Sequence, residues 1–190
     1  MHYFIGEWYA DNAIMTTYLD EMKIVSGTTR NKLLYVNKKI GGSALFGVTW
    51  RPYLSPTKNR TPSKKYKNLC NTKLVDDHPY MEEVFAEFVS IYFPDFFYTQ
   101  IMINKNYQIP PHFDSANVGE SVLCAFGDYD GGEINIDFGE GLEPLQLDPQ
   151  EKPVRFNGSK YKHWVSDYNG LRYSLVFFND IKNIDKKIII

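Results

Sequence analysis

Cysteine is scarce: Cys70 and Cys124 are the only two in 190 residues. Neither a disulfide framework nor a zinc-binding cysteine cluster can be built from them, and a reducing compartment is the expected setting. Long apolar runs are missing as well. No stretch approaches the roughly eighteen residues that a membrane-spanning helix needs, and the N-terminal MHYFIGEWYADN has neither the basic start nor the unbroken apolar stretch of a secretory signal. An intracellular protein, cytoplasmic or nuclear and without a membrane partner, is expected. No internal repeat or low-complexity segment is visible.

The most informative absence is one of charge. Between Met22 and Val75 there is no Asp or Glu, against twelve bases: Lys23, Arg30, Lys32, Lys38, Lys39, Arg51, Lys58, Arg60, Lys64, Lys65, Lys67 and Lys73. From Asp76 to Glu151 the balance inverts, with sixteen acids against the single base Lys105. The formal net charge of −2 hides this division. A short basic run is ordinarily a solvated face, but an acid-free segment of this length matches the footprint of a phosphate-rich partner. Nucleic acid is therefore expected to engage segment 22–75. The sequence does not disclose the oligomeric state.

What is present describes an ordered globular chain: 16% aromatic and 23% charged residues. One domain is expected, with an N-terminal helical and basic region over 1–43, a β-rich core over 44–180 and a tail over 181–190. Asp11 is placed to cap a helix carrying Ile14, Met15, Tyr18, Leu19 and Met22 at three- and four-residue spacing. A second helix is expected from Pro79, after Asp76 and Asp77, with Met81, Val84, Phe85, Phe88, Val89 and Tyr92 on one stripe and Pro94 ending it. RPYLSPTKNRTPSKKYKNLC, from Arg51 to Cys70, reads as an exposed loop. ALFGVTW, YTQIMINKN, SVLCAFG, EINIDF, EPLQL, PVRF, KHWVSDY and RYSLVFF then give about eight short strands separated by turn chemistry, as in a sandwich, jelly roll or barrel. In EINIDF the alternation sets Ile134, Ile136 and Phe138 inward and Glu133, Asn135 and Asp137 outward. RYSLVFF is apolar on both faces and is expected to be a central strand. The fold class is α+β, with N-terminal helices packed on the strands.

Within this frame, Pro110-Pro111-His112-Phe113-Asp114 places a histidine two residues from an acid. In a strand these two side chains share a face and can offer an imidazole nitrogen and a carboxylate oxygen to one point. His2 is terminal and His78 lies near a helix start, which leaves His163, in KHWVSDY, as a third ligand. Two histidines and one carboxylate leave several positions on a metal open, the arrangement suited to non-haem Fe(II). A core-edge histidine bonded to a neighbour is the structural alternative for His163. Asn169-Gly170 is a reversal signal; as a two-residue hairpin it pairs His163 with Val176 and sets His163, Arg172 and Ser174 on one side. Arg172 then stands about 13 Å along the strand from the ligand, where its guanidinium and the Ser174 hydroxyl can hold the far carboxylate of a small dicarboxylate chelated at the metal. An ion pair of Arg172 with Asp167 is the alternative.

His112-Phe113-Asp114, the distal His163 and Arg172-Tyr173-Ser174 together resemble the His-x-Asp…His…Arg-x-Ser signature of the Fe(II)- and 2-oxoglutarate-dependent dioxygenases. The resemblance runs from about Ala44 to Asn179. It implies a double-stranded β-helix, a jelly-roll and cupin-like core, with His112, Asp114 and His163 as iron ligands and Arg172 and Ser174 on the distal carboxylate of 2-oxoglutarate. Asn104 and Tyr107 look like residues that contact the co-substrate in several members; ordinary strand-end polarity is their alternative. The segment Gly127-Asp128-Tyr129-Asp130-Gly131-Gly132-Glu133 reads physically as a hairpin turn into EINIDF. With Phe156 and Gly158 before the distal histidine, it looks like the ten-eleven-translocation and J-binding-protein group, which oxidises the methyl of 5-methylcytosine or thymine. The implied reaction uses Fe(II), 2-oxoglutarate and O2 to hydroxylate a C–H bond, with succinate and CO2 as co-products. The Arg51 to Lys73 stretch, with Tyr53 and Tyr66 among its bases, is the expected nucleic-acid surface. A protein side-chain (prolyl or lysyl type) or small-molecule hydroxylase of the same fold, and a non-enzymatic jelly-roll binding module, are the other readings these residues allow.

Overall fold

A computed structural model describes residues 3–24, 41–52, 67–139 and 141–180. Most of the basic segment, Tyr53, Tyr66, His2 and the 181–190 tail lie outside the described residues. Helix α1 (Trp8–Glu21) is followed by strands β1 (Gly42–Pro52) and β2 (Lys67–Asn71), then by helices α2 (Lys73–Asp77) and α3 (Met81–Tyr92). Nine further strands complete the order: β3 (Gln100–Lys105), β4 (Ser121–Phe126), β5 (Tyr129–Gly131), β6 (Ile134–Asp137), β7 (Leu145–Leu147), β8 (Val154–Phe156), β9 (Lys162–Val165), β10 (Tyr168–Gly170) and β11 (Tyr173–Phe178). All pairings are antiparallel, and they form a six-stranded sheet β2-β1-β3-β11-β4-β8, a three-stranded sheet β7-β6-β9 and a two-stranded ribbon β10-β5.

Period-two alternation on the large sheet separates two cores. Ile101 and Ile103 of β3, Val122, Cys124 and Phe126 of β4, and Tyr173, Leu175 and Phe177 of β11 turn toward the helices. There they meet Met15 and Leu19 of α1 and Met81, Val84, Phe85 and Phe88 of α3, all wholly buried. Phe88 touches the rings of Phe4, Trp8, Tyr92, Phe93 and Phe126, so the N-terminal segment, α3 and β4 are joined through one side chain. On the opposite face Leu123, Val154, Phe156 and Val176 of the large sheet pack with Ile134, Ile136 and Val165 of the small one. A mixed helix and antiparallel-sheet architecture results, with the space between the two sheets available for a site.

Several local expectations are corrected. Asp11 does not cap α1, which begins three residues earlier with Glu7 at its N-cap. Its carboxylate is wholly buried and accepts the N–H groups of Ile5 (2.9 Å) and Gly6 (2.8 Å) and the Tyr92 hydroxyl (2.5 Å). It therefore ties the incoming chain to α3. Asp76 and Asp77 belong to the short α2 and do not lead into α3, and His78 closes α2 instead of starting a helix. Lys67 to Cys70 is strand, not loop, because β2 pairs with the far half of β1. Among the described residues the strand count is eleven, partly because KHWVSDY divides into β9 and β10. In EINIDF, Ile134 and Ile136 face inward as expected, but Phe138 is exposed beyond the strand end and Asn135 is buried, donating to the Ser166 hydroxyl at 2.8 Å. RYSLVFF does become the central β11, flanked by β3 and β4.

The largest correction concerns the two glycine turns. Asn169-Gly170 does not form a hairpin between β9 and β11, so His163 does not pair with Val176. Asn169 instead pairs with Asp130, and Gly170 with Tyr129, so the two segments read as turns are the two strands of one ribbon. β9 pairs with β6 in the small sheet while β11 sits in the middle of the large one. Alternating polarity cannot reveal this, because a three-residue strand and a tight turn have the same composition.

Candidate metal centre and cavity

His112 lies outside the named strands but forms an isolated antiparallel bridge with His163. Each backbone N–H donates to the other residue's carbonyl at 3.0 Å. Residues directly opposite in an antiparallel pair place their side chains on the same face, and the two imidazole centroids are 4.2 Å apart. Asp114, two residues on, closes the cluster: its Oδ1 is 3.4 Å from His112 Nε2 and its Oδ2 is 3.6 Å from His163 Nε2. One ligand atom from each residue falls within 4.8 Å of the others.

The remaining ring nitrogens settle the tautomers. His112 Nδ1 lies 2.9 Å from the Pro110 carbonyl and His163 Nδ1 lies 3.1 Å from the Tyr161 carbonyl. A carbonyl can only accept, so Nδ1 carries a proton in both rings, and Nε2 is the atom that each ring turns toward the carboxylate. Burial works against a charged His112, but the Asp114 carboxylate and the nearby carbonyls outweigh it and raise its pKa. Burial lowers the pKa of His163 and keeps it neutral, the form that ligates.

Two neighbours of this cluster were not singled out as site residues by sequence. Asn117 Nδ2 donates to Asp114 Oδ2 at 3.1 Å and to Ser121 Oγ at 3.2 Å, so it orients the carboxylate from behind. Its signal was only its position three residues after the aspartate. Gly158 accepts the Asp114 N–H on its carbonyl at 2.9 Å. A Cβ at Gly158 would stand 2.7 Å from Asp114 Oδ2 and 3.1 Å from His163 Cε1. The Phe156 ring packs edge-on to His163, with centroids 4.8 Å apart. Phe156 and Gly158 are thus the support and the clearance of the cluster, which gives that pair of residues a physical role.

The three residues line a cavity of about 560 Å³ between the sheets, within the range of small-molecule sites. Its walls include Met102, Ile109, Leu123, Ile134, Val165 and Val176, and Phe113 stands 53% exposed beside the cluster. Asn104, Tyr107 and Ser174 line it too. Asn104 Nδ2 donates to Ser174 Oγ at 3.1 Å, while Asn104 Oδ1 is buried without a partner. Arg172 is not brought into the cavity lining. It lies two residues before Ser174, is 2% exposed, and donates from Nη2 to the Gly132 carbonyl at 3.1 Å. It does not pair with Asp167, whose Oδ1 accepts from Gln108 Nε2 at 2.7 Å. His78 is remote from the cluster, against Tyr80.

No protein-family model and no curated protein sequence matches the chain. Among solved structures it is similar to NgTET1 in complex with 5mC DNA, at 16% identity and TM-score 0.47, over 81% of this chain and 66% of that one. It thus spans just under two thirds of that protein's length. It is also similar to a 2OG-Fe(II) oxygenase family oxidoreductase from Burkholderia pseudomallei (16% identity, TM-score 0.49, 89% of this chain and 77% of that one). A Pseudomonas putida prolyl-4-hydroxylase gives 14% identity and TM-score 0.46 over 94% of this chain and 89% of that one.

The donor set itself tests the fit of a metal. Two imidazoles and one carboxylate, with both Nδ1 atoms already satisfied, suit Fe(II) and leave positions open. The cavity that begins at the cluster and reaches Asn104 and Ser174 suits a small polar ligand.

Proposed function

We propose that the chain is an Fe(II)- and 2-oxoglutarate-dependent oxygenase on a double-stranded β-helix, and that it hydroxylates the 5-methyl group of a pyrimidine in nucleic acid. The observation that carries the first part is the convergence of His112 Nε2, His163 Nε2 and the Asp114 carboxylate at the wall of one cavity. Iron(II) held there, with 2-oxoglutarate and O2, supplies the oxidant for a C–H bond and leaves succinate and CO2. The protein's own part is positional. The paired backbone of His112 and His163 fixes two donors, Asn117 fixes the third, and Gly158 leaves room for it. Apolar side chains such as Met102, Leu123 and Val176 keep bulk water from the reacting centre. Ser174 and Asn104 offer a hydroxyl and an unpartnered amide oxygen farther along the cavity, and Arg172 lies two residues before Ser174, just ahead of β11.

The acid-free segment from Met22 to Val75 supports a nucleic-acid substrate, as does the exposed Phe113 ring beside the cluster, a surface on which a base can stack. The test is to incubate the protein with Fe(II), 2-oxoglutarate and DNA containing 5-methylcytosine and thymine, single- and double-stranded. Nucleosides and succinate are then measured by mass spectrometry. A hydroxymethyl product with matching succinate is expected. Succinate released only with peptide substrates would move the reading to a protein hydroxylase, and no 2-oxoglutarate turnover with any substrate would remove the oxygenase reading.

A further inference from the structure

Arg172 is a buried cation with an unusual set of neighbours. No carboxylate of the described residues lies within ion-pairing distance of it, and its Nε is buried without a hydrogen-bond partner. Its guanidinium carbon stands over the Tyr129 ring at 5.4 Å and over the Tyr168 ring at 5.5 Å. The two rings are 6.1 Å apart and inclined at 75°, so they form a corner into which the guanidinium fits. A carbonyl, that of Gly132, holds Nη2 at 3.1 Å.

The ribbon explains how the corner is built. Tyr129 pairs with Gly170 and Tyr168 with Gly131, so the tyrosines are diagonal neighbours on one face and a glycine stands opposite each. The next residue, Gly132, has φ +79°, and a Cβ there would stand 2.9 Å from Arg172 Nε and 3.1 Å from its Cδ. Only glycine both adopts that backbone and leaves the side chain its path. A ribbon needed only to reverse the chain would require none of these contacts.

We propose that the β5-β10 ribbon is a cradle whose purpose is to position Arg172, with Tyr129, Tyr168 and Gly132 as positioning residues for recognition of a carboxylate at the Ser174 end of the cavity. This rests on the oxygenase reading and assigns a role to two segments that otherwise look like turns. The rings stabilise the charge without neutralising it. The charge is therefore left without a carboxylate partner among the described residues, two residues before the cavity-lining Ser174.

The test uses full-length protein loaded with Mn(II), with 2-oxoglutarate as the probe in calorimetric titration and Mn(II) binding measured alongside. Tyr129→Leu and Tyr168→Leu are expected to weaken 2-oxoglutarate binding by about ten-fold or more while Mn(II) affinity stays within about two-fold. Tyr129→Phe and Tyr168→Phe, which keep the rings, are expected to bind like the wild type. In an Arg172→Lys background the leucine substitutions should add less than about two-fold, because the partner they act through is gone. Leucine variants that bind 2-oxoglutarate like the wild type, or phenylalanine variants as weak as the leucine ones, would overturn the cradle. Should the leucine variants fail to fold, the Arg172 Nε–H proton resonance of the wild type still decides. Assigned by its loss in Arg172→Lys, it is expected upfield of its free position through ring currents, and an unshifted resonance overturns the proposal. Wild-type protein that binds Mn(II) but not 2-oxoglutarate would instead remove the oxygenase reading, with the ring-current shift still reporting on the cradle.

Discussion

His112 and His163 each spend one ring nitrogen on a backbone carbonyl, and that leaves the other for a metal. Asp114→Ala removes the only carboxylate of the cluster and should abolish Fe(II) or Mn(II) binding in a titration while leaving the circular dichroism spectrum unchanged, since Asp114 is partly exposed and outside both cores. Asn117→Ala should be milder. It removes the donor to Oδ2, and outer-shell losses of this kind typically cost about 10- to 100-fold in metal affinity. Gly158→Ala should produce a loss in the same range by pushing against Asp114 Oδ2. Measured together, the three separate holding the metal from aiming its ligand. Metal affinity unchanged in Asn117→Ala would mean that Asp114 is fixed by its own backbone alone. Cys124 adds a check at this scale: burial pushes its thiol well above the usual range, so alkylation in the native state should leave it unmodified.

Among elements, the contact between α3 and the large sheet carries much of the packing. Phe88 is wholly buried among five aromatic rings, so Phe88→Ala should lower stability by about 3–5 kcal/mol in urea unfolding. Asp11→Ala should cost about 2–4 kcal/mol, because it leaves the Ile5 and Gly6 N–H groups and the Tyr92 hydroxyl without their acceptor. The stripe on α3 was legible at 3.6-residue spacing, and so was the central place of RYSLVFF. Asp11 was misread because a cap and an inward-facing carboxylate one turn later look alike in one dimension. The ribbon was missed for a related reason. Asp-Gly-Gly and Asn-Gly announce a reversal, but which strand each segment meets afterwards is decided by a partner some forty residues away.

For the molecule as a whole, the division of charge makes a prediction that does not depend on the site. If segment 22–75 meets phosphates, binding to DNA or RNA should weaken steeply with salt, with a log–log slope reporting the number of phosphates engaged. Replacing Lys58, Arg60, Lys64, Lys65 and Lys67 by Gln should flatten that slope by several units. It should leave Mn(II) affinity untouched, since the metal cluster lies on other segments. A fluorescence-anisotropy titration from about 50 to 200 mM salt measures it, and a salt-independent signal would argue for a peptide or small-molecule substrate.

Charge distribution, hydrophobic period and the two-residue spacing of His112 and Asp114 are local properties, so the sequence by itself determined the helix stripes, most of the strands and the candidate ligands. Distance between segments is not local. Only the tertiary structure decided that His112 and His163 exchange backbone hydrogen bonds, that Asn117 and Gly158 close around Asp114, and that β9 and β11 lie in different sheets. It also decided where Arg172 goes. On sequence its guanidinium belonged about 13 Å from the metal ligand along a hairpin strand; packed, it sits between Tyr129 and Tyr168, because a buried cation without a carboxylate is drawn to the nearest aromatic faces and carbonyl.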